Sequence, residues 1–276
     1  MGTLISAEDL RALLADGGGA AVLDVRWQLG RDDGHEQFLA GHVPGASYVD
    51  LEHDLAEPVT GPVGEGGRHP LPDPERFGAA MRRCGVRRDR PVVVYDATSG
   101  LAAARAWWLL RDHGHADVRL LDGGWDAWRE AGGEVETGEP EVAPGDLRPD
   151  PGHLPVVDAE GAAEVARAGV LLDARAGERF RGETEPVDPV AGHVPGAVSV
   201  PTSANLRADG RFRPVAELAE VYAAARRAGP VAAYCGSGVT AAHDLLALHL
   251  LGVEAALYPG SWSGWTSRGD RAVETG

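Results

Sequence analysis

Ala40-Gly41-His42-Val43-Pro44-Gly45-Ala46 returns, residue for residue, as Ala191-Gly192-His193-Val194-Pro195-Gly196-Ala197. Three further blocks flank this heptapeptide in the same order in both halves. Val22-Leu23-Asp24-Val25-Arg26 recurs as Leu171-Leu172-Asp173-Ala174-Arg175, and Pro91–Asp96 lines up with Pro230–Cys235. Leu121-Asp122-Gly123-Gly124-Trp125 matches Tyr258-Pro259-Gly260-Ser261-Trp262. Repeated blocks in one order make the chain a tandem duplication. Each copy alternates short apolar runs with helical patterns, which predicts an α/β fold with a parallel sheet flanked by helices in each half. Residues 20–25, 92–95 and 117–121 read as buried strands, as do 170–173, 231–234 and 255–258. Residues 101–113, 215–228 and 239–251 read as helices, and Ser6 with Asp9 resembles a capping box ahead of Leu10. Residues 133–155 are rich in Gly, Pro and Glu without periodicity. The expected organisation is therefore a domain over 1–140, a linker over 141–155 and a second domain over 156–276.

The composition narrows the function. A hydrophobic fraction of 43% and a charged fraction of 25% belong to an ordinary globular chain. A net charge of −16 argues against nucleic acid or an anionic membrane as partner. A few arginines in a cleft would still admit an anionic small molecule. No stretch approaches the roughly 20 apolar residues of a membrane span. Met1–Leu10 lacks the basic-then-apolar pattern of a signal peptide, so a cytoplasmic location is expected. All 26 basic residues are arginine, which removes Schiff-base and lysine-base chemistry. The 2 cysteines, Cys84 and Cys235, form neither a disulfide framework nor a metal-site spacing, and no cofactor is implied.

The two thiols differ in setting. Cys84 follows a helical run and precedes Gly85, a helix C-terminus where cysteine is structural. Cys235 ends a predicted strand and opens Cys235-Gly236-Ser237-Gly238-Val239-Thr240, after which a helix begins. Ligands of open α/β sheets bind at such carboxyl ends of strands. The glycines let successive N–H groups turn toward the sulfur, and the helix adds its positive end. Both stabilise a negative sulfur, whether a thiolate or the terminal atom of a persulfide. The alternative, a small buried residue closing a strand, suits an arbitrary cysteine better than one in this loop. A cysteine phosphatase uses a similar cradle but needs an arginine six positions on, where this chain has Ala241. The first copy places Asp96 at the equivalent position, so only the second half is reactive.

With these blocks in this order, the chain resembles the tandem-domain rhodanese family of thiosulfate and 3-mercaptopyruvate sulfurtransferases along nearly its whole length. The resemblance implies two rhodanese-like domains, the first non-catalytic, with Cys235 as sulfur carrier. Gly236, Gly238, Val239 and Thr240 would then line the bound sulfur and donor. Gly67-Arg68-His69-Pro70-Leu71-Pro72 matches the family's His-x-Leu-Pro segment, which makes His69 the partner of Ser237. Asp50-Leu51-Glu52 matches an acidic segment that makes Glu52 the carboxylate orienting His69. Arg179 aligns with a substrate-binding arginine. A second family arginine is replaced by Val187 or Asp188, with Arg181 or an arginine of the first half as possible substitutes. His42 and His193, present in both copies, are assigned to fold structure.

The resemblance implies transfer of sulfur from 3-mercaptopyruvate through a Cys235 persulfide to a thiol, cyanide or small redox protein. The uncharged loop favours mercaptopyruvate; thiosulfate is the alternative donor, since the thiosulfate type carries basic residues where Gly236 and Ser237 stand. A third reading, from another class, is a non-catalytic rhodanese module acting in binding or regulation.

Overall fold

The computed structural model describes residues 2–15, 19–227 and 229–276. They form two compact units. The first comprises Met1–Ala56, Pro72–His153 and Ala208–Phe212; the second comprises Glu57–Leu71, Leu154–Arg207 and Arg213–Gly276.

The first unit holds a parallel sheet of β1 (Leu4–Ile5), β2 (Ala21–Asp24), β3 (Ser47–Tyr48), β4 (Val92–Tyr95) and β5 (Val118–Leu121), in the order β1-β5-β4-β2-β3. The second repeats it with β6 (Val170–Asp173), β7 (Val198–Ser199), β8 (Val231–Tyr234) and β9 (Ala256–Leu257), in the order β7-β6-β8-β9. A parallel bridge between Val156 and Leu257 is what remains there of the fifth strand. Strands buried on both faces read as unbroken apolar runs, and Val92–Tyr95 and Val231–Tyr234 are buried at every position. Both units are thus α/β, as the duplication predicts.

The repeated heptapeptide has one structural job in each unit. His42 stacks on Phe38 with ring centroids 4.0 Å apart, and His193 on Phe180 at 3.7 Å. Tyr95 and Tyr234 hydroxyls accept the N–H of Val43 and Val194, each at 3.1 Å. Buried polar groups need such partners. Both histidines are therefore framework residues, as their presence in both copies suggests.

Local chemistry explains the helix ends. Ser6 Oγ accepts the Asp9 N–H at 3.0 Å, the N-cap half of a capping box, and donates its own proton to the Asp9 carboxylate at 2.9 Å. The helix Pro74–Arg83 ends at Cys84, with Gly85 and Val86 N–H groups bonded to Arg82 and Met81 carbonyls. That Schellman closure leaves Cys84 buried, its thiol pushed up to about 12 by burial. The expected helix over 101–113 spans Ala103–Asp112, and that over 239–251 spans Ala241–Leu250. The expected helix over 215–228 is helical only through Val221, and residue 228 lies outside the described residues.

Two segments fall otherwise than composition suggests. The aperiodic stretch drawn as linker straps onto the first unit as far as His153. Gly145 donates to the Arg82 carbonyl at 2.8 Å, and Leu147, buried, accepts from Arg82 Nη1 at 2.9 Å. Glu57–Leu71, sequentially inside the first half, clusters with the second unit. That placement delivers the His-x-Leu-Pro segment to the Cys235 loop.

Candidate active site

Cys235 directly follows β8, an interior strand between β6 and β9, so its loop opens at the carboxyl edge of the sheet. Ser261 clamps the strand end: its Oγ accepts the Cys235 N–H at 3.0 Å and donates to the Tyr258 carbonyl at 3.0 Å. Trp262 N–H bonds the Cys235 carbonyl at 2.9 Å. In the first unit Trp125 N–H bonds the Asp96 carbonyl at 2.8 Å, so the repeated Gly-Trp blocks make one contact twice. Cys235 is buried, with 1% of its surface exposed, and Gly238 N–H points at Sγ from 3.2 Å. Gly238 has φ +80°, and a β-carbon there would lie 2.5 Å from the Pro259 carbonyl oxygen, so only glycine closes this turn. Ala241–Leu250 then begins with no side-chain cap, and its Ala242 and His243 N–H groups bond the Val239 and Thr240 carbonyls at 3.2 Å and 3.1 Å.

The sister loop shows what such a cradle holds. Asp96 sits where Cys235 sits, and its carboxylate accepts four backbone N–H groups: Thr98 at 2.7 Å, Gly100 at 2.8 Å, Ala102 at 2.8 Å and Ala103 at 2.9 Å. An anion surrounded by converging amides is a nest. The first unit fills its nest with its own side chain; the second places a sulfur at the mouth.

Around the sulfur, the structure brings several predicted residues together. His69 Nδ1 and Ser237 Oγ lie 2.7 Å apart and both side chains are buried. Their meeting rests on close backbone packing: β-carbons on Gly260 and Gly264 would each lie 2.3 Å from the Glu65 carbonyl oxygen. Arg68 N–H adds a bond to Ser263 Oγ at 3.1 Å. Arg179 stands beside the loop, its Nη1 3.5 Å from where a Gly236 β-carbon would be. Glu52 belongs to the first unit, where its Oε1 accepts Trp27 Nε1–H at 2.9 Å. Arg181 turns to Glu183 at 2.7 Å on the surface.

Sequence reasoning missed the carboxylates that organise these arginines. Glu185 accepts from Arg179 Nη2 at 2.6 Å, from Arg175 Nη1 at 3.3 Å, and from the N–H groups of Val187 and Asp188 at 3.1 Å each. Burial alone would raise its carboxyl, yet Arg179 and the backbone donors hold it below the usual range. Asp188 pairs with Arg179 at 3.3 Å and with Arg68. Burial raises its carboxyl despite those partners. The proximity of Arg68 to His69 in sequence was the available signal that Arg68 enters the site. Among the described residues no cluster of His, Cys, Asp or Glu is arranged to hold a metal ion.

The rhodanese-like domain family model matches residues 6–131 and 158–268. This chain belongs to the rhodanese family. A Mycobacterium tuberculosis relative, provisionally named thiosulfate sulfurtransferase SseB, is 44% identical over 99% of this chain and 97% of its own length. A Pseudomonas aeruginosa relative, provisionally named 3-mercaptopyruvate sulfurtransferase, is 46% identical over 99% of this chain and 98% of its own. The crystal structure of SseA from Escherichia coli, described as a 3-mercaptopyruvate sulfotransferase of rhodanese fold, superposes with a TM-score of 0.81. It is 32% identical and covers 95% of this rhodanese and 100% of its own chain. No helix among the described residues is long and apolar enough to cross a membrane.

Proposed function

We propose that this rhodanese is a sulfurtransferase of the cytoplasm that carries sulfur as a persulfide on Cys235. The observation that carries this reading is the pair of loops: one nest holds the Asp96 carboxylate on four N–H groups, and its counterpart holds Cys235 with Gly238 N–H already at Sγ. With 3-mercaptopyruvate as donor, the Cys235 thiolate attacks the donor's sulfur and the carbon–sulfur bond breaks. The electron pair leaves with C3 as the enolate of pyruvate, which takes one proton to become pyruvate. Ser237 and His69, 2.7 Å apart, supply that proton. Arg179 binds the donor's carboxylate, and Gly236, Val239 and Thr240 line the loop. An acceptor thiol, cyanide or small redox protein then attacks the outer sulfur and regenerates the thiolate.

One observation favours thiosulfate as a second donor. The loop itself is uncharged, yet Arg68 Nη2 and Arg179 Nη1 stand 3.2 Å and 3.5 Å from the Gly236 β-carbon position. Positive charge thus reaches the cysteine from outside the loop, and a relative named for thiosulfate is 44% identical. Intact-protein mass spectrometry after incubation with each donor tests the reading. One added sulfur, absent in Cys235→Ser, is expected; an unmodified protein with both donors overturns it. The ratio of kcat/KM for the two donors in a cyanide assay then ranks them.

A further inference from the structure

We infer that Arg68 is the second oxyanion anchor of the donor site, supplying from the Glu57–Leu71 segment the guanidinium that the 183–188 segment lacks. The inference deepens the sulfurtransferase reading and rests on it for the identity of the ligand.

Guanidinium geometry carries the argument. Its Nε–H and Nη2–H form one planar edge that matches the two oxygens of a carboxylate or sulfonate. This chain uses that edge repeatedly: Arg175 grips Asp173 with Nε at 3.0 Å and Nη2 at 2.6 Å, and Arg179 grips Glu185 at 3.2 Å and 2.6 Å. Arg26 on Asp24 and Arg119 on Asp117 do the same. Arg68 departs from the pattern. It holds Asp188 through Nη1, so the Nε/Nη2 edge stays unpaired, and its Nε is buried with no protein acceptor among the described residues. A buried charged donor without a partner is costly, so such a group marks a ligand position.

The Nη2 end of that unpaired edge faces the reactive loop, 3.2 Å from the Gly236 β-carbon position. Asp188 holds the guanidinium there by its other side. Arg179 cannot offer the same grip, because Glu185 already takes its Nε/Nη2 edge, although its Nη1 and Nη2 lie 3.5 Å and 3.7 Å from the Gly236 β-carbon position. The recognised chemistry is an oxyanion attached to the transferable sulfur: the carboxylate of mercaptopyruvate or the sulfonate end of thiosulfate. A β-carbon on Gly236 would crowd the Arg68 guanidinium at 3.2 Å and touch that of Arg179 at 3.5 Å.

Steady-state kinetics of Arg68→Gln and Arg68→Lys with both donors test this. Arg68→Gln should raise KM on the order of ten- to a hundredfold for at least one donor while kcat changes little. Arg68→Lys, which keeps charge and loses the fork, should recover only part of it. The donor whose KM rises identifies the oxyanion. An unchanged KM for both donors in a folded variant overturns the inference. A binding measurement separates this from the reading on which it rests. Titration calorimetry of pyruvate and sulfite, the leaving fragments, on Cys235→Ser needs no turnover. Weaker binding on adding Arg68→Gln supports the anchor even if no persulfide forms; equal binding, or no binding of either fragment, overturns it.

Discussion

At the scale of single residues, Ser237 and His69 separate the two donors by what each leaving group requires. Pyruvate leaves as a carbanion equivalent and must collect a proton, whereas sulfite leaves from thiosulfate with the electron pair and needs none. General acid catalysis contributes roughly 10²–10⁴-fold. Ser237→Ala should therefore lower kcat with mercaptopyruvate by about that factor and leave thiosulfate turnover within a few-fold. Parallel losses for both donors would mean that the 2.7 Å contact only shapes the loop. Asp244, in the helix behind that loop, gives a stability prediction. Burial raises its carboxyl to about 8, against the lowering effect of Asn205, whose Nδ2 donates to Oδ1 at 2.8 Å. The native state thus keeps a proton that the unfolded chain releases near pH 4. The stabilisation is fully present below the unfolded value and falls as pH rises through about 8, by up to about 1.4 kcal/mol per pH unit. Asp244→Asn should flatten urea stability over that window. A slope equal to that of the parent chain would show that Asp244 is ionised in the native state.

At the scale of elements, the two strand–loop–helix units test one another. Removing the Asp96 carboxylate leaves four converging N–H groups without their acceptor in a site 1% exposed. Each buried unsatisfied donor costs roughly 1–3 kcal/mol, so Asp96→Ala should destabilise the first unit by at least about 3 kcal/mol. Tryptophan fluorescence in urea reports this well, because Trp27, Trp107, Trp108, Trp125 and Trp128 all lie in that unit. A loss below about 1 kcal/mol would mean that water satisfies the nest as well as the carboxylate does. The elements themselves were largely legible from sequence, since apolar runs too short for helices, such as Val92–Tyr95, leave few alternatives. The Cys235 loop was legible for the same reason: a Gly-x-Gly turn after a strand has few uses. Arg68, Glu185 and Asp188 were not. Their roles depend on which edge of a guanidinium meets which carboxylate, and periodicity carries no information about that.

At the scale of the whole molecule, the duplication boundary and the compact units do not coincide, and the difference lies in Glu57–Leu71. A repeat-based cut assigns this segment to the first half; packing assigns it to the second unit, where Glu65 and Gly67 lie backbone to backbone on Gly260 and Gly264. Glu65 also pairs there with Arg268 and Arg271, each at 3.2 Å. Contacts this close tolerate no substitute, since a β-carbon on Gly67 would lie 2.4 Å from the Gly260 carbonyl oxygen. The second unit is therefore incomplete when cut by its sequence repeat. A fragment of residues 154–276 should expose the Ser261–Thr266 helix, and its backbone amides should exchange with solvent at least tenfold faster than in the full chain. It should also fail to load sulfur, having lost His69 and Arg68 together. Joining residues 57–71 to that fragment through a flexible Gly/Ser linker raises their effective concentration enough to restore the packing. Slowed exchange at 261–266 and renewed loading of Cys235 are the expected results. If the unlinked fragment protects that helix as well as the full chain does, the first half lends the second only its side chains, and the backbone packing of Glu65–Gly67 on Gly260–Gly264 contributes nothing to the site.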